Sequence, residues 1–127
     1  MVSACNSDSE PPQLLVGAEA GVVEVPGYDY CWDGVCADWF GSQVPTPLTF
    51  SESAIRIEWI KDGVLTATVS DETGSCALRP ALDQEDSPGV WNLTVPACSP
   101  PYRVIFHGSE GENSTLFVIE VISSTAG

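Results

Sequence analysis

Hydrophobic and polar residues alternate with a period of two along most of this chain, the pattern of strands with one wet face. Ile55, Ile57 and Trp59 fall on one side of such a run, with Arg56 and Glu58 on the other. Trp91, Leu93 and Val95 repeat the pattern with Asn92 and Thr94 opposite. Near the C-terminus Leu116, Val118 and Glu120 alternate with Phe117, Ile119 and Val121. No window keeps a helical period of useful length. Gly, Pro, Asp and Ser cut the pattern into short runs, which predict strands over Gln13 to Ala18, Gly21 to Val25, Tyr28 to Trp32, Val35 to Trp39, Ala54 to Ile60, Val64 to Ser70, Val90 to Val95, Tyr102 to His107 and Thr115 to Ile122. Lys61-Asp62-Gly63 predicts a hairpin between two of these, and Gly41 to Pro47 and Pro80 to Gly89 read as loops. About seven to nine short strands with closely spaced turn signals predict an all-β fold. An antiparallel β-sandwich of immunoglobulin-like type fits best, with a small barrel as the alternative.

Length and composition place this pattern in one domain. A chain of 127 residues, 43% of them hydrophobic, suffices for a single core. Residues 1–12 are polar and breaker-rich and read as a flexible tether, leaving residues 13–127 as the sandwich. The net charge of -14, from 18 acidic and 4 basic residues, repels phosphate backbones and anionic headgroups, so nucleic acid is excluded as a partner. No tract reaches the roughly 18 apolar residues that would span a bilayer.

The five cysteines change the picture most, because several in a small domain point to an oxidising compartment. In the stretch YCWDGVCAD, a two-residue hairpin turning on Asp33-Gly34 sets Trp32 opposite Val35 and Cys31 opposite Cys36. The second pair is of the non-hydrogen-bonded kind, with Cα atoms about 4.5 Å apart, within disulfide reach. Closing so short a loop contributes roughly 2 kcal/mol in the chain-entropy model, so its use is local: it pins the register and stiffens the turn. Cys76 and Cys98 form the remaining pair on this reading, although four cysteines allow three connectivities. Redox chemistry would call for a Cys-x-x-Cys spacing beside a helix, which the hairpin lacks. Zinc would need more than the single imidazole of His107.

The odd cysteine is Cys5. Val2-Ser3-Ala4-Cys5 resembles the lipobox of bacterial lipoproteins, in which the cysteine is lipidated, and the tether follows it directly. That resemblance implies a protein on the outer face of a membrane, touching the bilayer only through its acyl chains. Met1 on this reading stands just inside the end of an export signal. Tyr30-Cys31-Trp32, a short loop and Cys36-Ala37-Asp38 are in turn similar to a signature in small, mostly uncharacterised secreted proteins and lipoproteins of Gram-positive bacteria. There the signature sits near the start of a β-sandwich, and the runs from Pro101 to Gly108 and Thr115 to Ile122 resemble the last two strands of such domains. The resemblance implies location and fold and brings no catalytic residue with it.

Candidate chemistry is sparse. Counting outward from the hairpin sets Asp29 across from Asp38, an unfavourable pairing of like charges. It is relieved if Arg56 or Arg103 lies between them, if the strands diverge, or if a cation is held, although the stretch lacks the ligand spacing of an EF-hand. A serine hydrolase would need a base, and His107 has no Gly-x-Ser-x-Gly elbow to serve. No phosphate loop, dinucleotide fingerprint or haem motif calls for a cofactor. Trp59 and Trp91 read as core, whereas Trp32 and Trp39 are either packed inward or displayed; Trp32 and Asp33 on a crosslinked turn, with Trp39 nearby, would make a low-entropy anchor for a partner. The expected function is therefore that of a non-enzymatic, extracytoplasmic interaction or envelope-associated module, with an unidentified protein or cell-envelope component as partner. A secreted inhibitor or ligand-binding domain using the Cys31/Cys36 hairpin is the alternative, and a small carbohydrate-acting enzyme a third.

Overall fold

The computed structural model describes residues 11–18, 21–37, 45–50, 54–70, 81–94 and 101–124. They form eleven strands and no helix: β1 (Leu14–Ala18), β2 (Gly21–Val25), β3 (Tyr30–Trp32), β4 (Val35–Ala37), β5 (Thr46–Phe50), β6 (Ala54–Glu58), β7 (Val64–Ser70), β8 (Ala81–Gln84), β9 (Val90–Thr94), β10 (Tyr102–Glu110) and β11 (Asn113–Ser124). The chain is an antiparallel β-sandwich. One sheet has the order β2-β1-β6-β9-β8 and the other β4-β3-β11-β10-β7, with β5 pairing the far half of β11 in parallel. Seven of the strands reproduce the immunoglobulin layout: β1, β6, β9 and β8 take the places of strands A, B, E and D, and β7, β10 and β11 those of C, F and G. The other four strands lie between the first and second of these in sequence.

The alternation seen in the sequence decides which faces meet. Ile55 and Ile57 on β6, and Trp91 and Leu93 on β9, are buried while Arg56 stays in water. Val104 and Phe106 on β10, with Phe117, Ile119 and Val121 on β11, supply the opposing face. Each such side chain contributes roughly 1.5–3 kcal/mol by leaving water, so the core is the main source of stability.

Three expectations are corrected by this topology. Lys61-Asp62-Gly63 does turn the chain, with the Gly63 N–H donating to Ile60 O at 3.2 Å, but β6 and β7 belong to different sheets. The segment is a crossing between layers and not a hairpin, because β1 and β9 already occupy both edges of β6. Pro80 to Gly89 is not all loop: Ala81–Gln84 pairs with β9, and its exposed Asp83 is tolerated because β8 is an edge strand. Pro47, read as part of a loop, lies within β5, whose single partner among the described residues is β11. Residues 11 and 12, read as the end of the tether, lie against the sandwich. Pro11 is buried, and the Pro12 carbonyl accepts a hydrogen bond from Trp59 Nε1 at 2.9 Å.

Tyr102, at the start of β10, is 2% exposed, and burial pushes its pKa above the ordinary 10.0. The unfolded chain therefore ionises this phenol first, so the associated stability is present below about pH 10 and is lost as pH rises through the folded pKa. Thermal melts are expected to fall on the alkaline side of pH 10, and Tyr102→Phe to flatten that decline.

Candidate functional site

The predicted hairpin is present in the predicted register: Trp32 faces Val35, Cys31 faces Cys36 and Tyr30 faces Ala37. Asp33 and Gly34 have φ of 50° and 83°, the paired positive values of a type I′ turn, which is why Asp-Gly occupies the loop. Cys31 and Cys36 are joined, with Cα atoms 3.9 Å apart, and both are exposed on the outer surface of the sheet. The hairpin tip is not free. The Asp33 N–H donates to Asn113 Oδ1 at 2.9 Å, and Asn113 Nδ2 donates to Asp33 Oδ1 at 3.3 Å, which fastens the turn to the start of β11.

This docking extends the sheet past β11 and creates a concavity on its outer face. Ser114 lies opposite Cys31, and the next outward residue of β11, Leu116, lies opposite His107 of β10. The chain entering β3 is held alongside by Tyr28 N–H to Leu116 O at 2.6 Å and Leu116 N–H to Asp29 O at 2.8 Å. Gly27 permits that approach, since a Cβ there would fall 2.7 Å from Pro11 Cγ and 2.8 Å from Thr115 Oγ1. The result is an open groove of about 470 Å³. It is lined by Ser114 and Leu116 of β11, with the disulfide on the β3 side, His107 on the β10 side and Asp29 beside Leu116.

The groove thus combines the apolar Leu116, a disulfide wall and polar residues of different kinds, among them Ser114 and His107. Small-molecule and peptide sites are built in this way, from apolar surface with a few convergent polar groups. His107 and Ser114 both line the groove, from neighbouring strands of the same sheet.

The structure sorts the candidate residues clearly. Cys31, Cys36 and Asp29 come together in the groove, and Asp33 lies at the bonded tip. Trp32 is not displayed: it is 5% exposed, and its ring meets that of Trp59 edge-on at 5.9 Å and 64°. The reason is the register itself, which turns Trp32 toward the core and the cysteines outward. Cys5, Asp38, Trp39, Cys76 and Cys98 lie outside the described residues, so the lipid, the second bridge and the Asp29–Asp38 pairing are not described. The two arginines considered between those aspartates have other partners, with Arg56 Nε 3.3 Å from Glu58 Oε2 and Arg103 Nε 4.0 Å from Glu120 Oε2. Among the described residues no group of three or more His, Cys, Asp or Glu is placed to hold a metal ion.

Ser114 and Leu116 were not singled out by the sequence. Their signal was the alternation in β11, which defined two faces without saying which one met water. The site defines the class: an immunoglobulin-type sandwich whose added hairpin builds a groove on the outer face of one sheet. No protein-family model matches this chain, and no curated protein or solved structure is significantly similar to it.

Proposed function

We propose that this is a non-enzymatic interaction module of the extracytoplasmic space, held at the outer face of the membrane through a lipidated Cys5, and that its partner seats in the groove beside the Cys31–Cys36 hairpin. The observation that carries this reading is the groove itself. An exposed crosslink and a bonded turn fix its hairpin wall before any partner arrives, so little conformational freedom is lost there on binding. The partner is a protein or a cell-envelope component. An inhibitor that inserts its hairpin tip is less well supported, because the aromatic ring it would insert is in the core and the turn is bonded to Asn113.

The test uses the protein in its own host, with chemical crosslinking of intact cells. Leu116→Glu and Ser114→Lys are expected to weaken capture of a groove partner at least tenfold, or about 1.4 kcal/mol, with the melting temperature unchanged. Val22→Glu, on the opposite sheet, is expected to leave capture intact. Equal capture by all three variants would remove the groove from the account. In the same cells, Cys5→Ser is expected to abolish labelling by a fatty-acid precursor and to release the protein from the membrane fraction.

A further inference from the structure

The sheet edges of this domain are not equally protected. Edge strands leave rows of N–H and C=O groups open to pairing, and proteins blunt them with charge, proline, brevity or a bulge. Here β2 carries Glu24, β8 carries Asp83, β5 carries Pro47, and β4 has three residues. The exception is β7. Its seven residues, Val-Leu-Thr-Ala-Thr-Val-Ser, include no charge and no proline, and it pairs with β10 in unbroken register from Val64 to Ser70. Among the described residues nothing pairs with its other side. An uninterrupted neutral strand stands out in a chain of net charge -14.

The order of residues in β7 also reads nearly the same in both directions about Ala67. A two-fold axis at that residue sets Thr66 against Thr68 of a second copy and Leu65 against Val69. Thr66 and Thr68 are both exposed, whereas Leu65 is buried toward the core. Such a pairing matches hydroxyl with hydroxyl on one face and apolar with apolar on the other, and both kinds of cross-strand pair are favourable. Self-complementarity is what an isologous contact requires, since residue i must meet j wherever j meets i. We propose that β7 is a homodimerisation edge, along which two copies of this chain join antiparallel about Ala67 into one continuous sheet.

A single strand edge buries less than the roughly 1,000 Å² that stable dimers bury, so the association is weak. Its salt dependence is diagnostic. Two chains of the same large charge repel, and screening relieves that repulsion, so the dimer strengthens as salt is added, whereas a contact driven by charge attraction would weaken. Sedimentation equilibrium on the full chain, from micromolar to about 1 mM, reads this directly. The wild type is expected to dimerise reversibly, more tightly at high salt. Thr66→Lys with Thr68→Lys is expected to weaken the dimer at least tenfold without lowering the melting temperature, because both positions are exposed. The added lysines reduce net charge, so a general charge effect would act in the opposite direction. Val22→Lys, on the β2 edge, is expected to leave dimerisation unchanged. A wild type that stays monomeric throughout, a lysine pair that dimerises like wild type, or loss of the dimer in Val22→Lys would each overturn the proposal.

Discussion

Trp59→Ala is expected to destabilise the domain by about 3–5 kcal/mol, as large-to-small substitutions at fully packed aromatic sites do. Small domains hold only about 5–15 kcal/mol in total, so much of the population should be unfolded at moderate temperature. The size of the effect follows from how many elements this one ring joins. Trp59 leaves the end of β6 where the chain crosses between the sheets, and it is 8% exposed. Its ring meets Trp32 of the hairpin and, at 5.7 Å and 80°, Phe117 of β11; edge-on pairs of this kind add about 0.5–1.5 kcal/mol each beyond area. Two glycines let the surrounding backbone close on it: a Cβ on Gly63 would fall 2.5 Å from Cε3, and one on Gly108 would fall 2.7 Å from Cη2. The indole N–H then holds the Pro12 carbonyl and fixes where the N-terminal segment meets the sandwich. Trp59→Phe should cost about 1–2 kcal/mol, since it keeps an aromatic ring and gives up one hydrogen bond and some volume. Urea denaturation separates the two variants. An alanine variant within about 1 kcal/mol of wild type would mean that the crossing is held by something other than this ring.

The strands that the sequence announced most clearly are those whose alternation reflects a half-buried surface. β2 and β7 have the bounds expected of them, and β6, β9, β10 and β11 differ only at their ends. β5 and β8 were illegible for a shared reason: each is a short strand at a sheet margin, where Pro47 or Asp83 costs little because one side of the backbone needs no partner. The β6 to β7 crossing was misread because a turn signature reports chain reversal and not which sheet receives the next strand. The hairpin, by contrast, was legible down to its residue pairs, since Asp-Gly fixes the turn type and the turn fixes the register. The groove could not have been read in full. Its cysteines and Asp29 follow from hairpin counting, but His107, Ser114 and Leu116, which the local β10–β11 hairpin brings together, join them only through the pairing of β11 with β3, a contact across some 80 residues of sequence.

Gly89→Ala is expected to be the most damaging single-methyl change among the described glycines, and its comparison with Gly34→Ala isolates why. The two glycines have nearly identical φ, 82° and 83°, so alanine meets a comparable positive-φ penalty of about 1–2 kcal/mol at each. At Gly34 nothing lies within 4 Å of the new Cβ, and the conformational term is the whole cost. At Gly89 the Cβ would sit 2.6 Å from the Trp59 carbonyl oxygen, with the Lys61 Cα and N at 3.4 Å. The obstructing atoms are backbone and cannot rotate away, and the Gly89 carbonyl is itself held by the Trp59 N–H at 2.9 Å. Relief must therefore break that bond or shift the crossing that seats the Trp59 ring, adding about 2 kcal/mol or more to the shared penalty. Paired denaturation curves give the difference directly, because the unfolded-state effect of adding a methyl to glycine is common to both variants. Equal losses at the two positions would show that the Gly89 contact is not held rigidly, and would equally undercut the claim that Trp59 is clamped by backbone on that side.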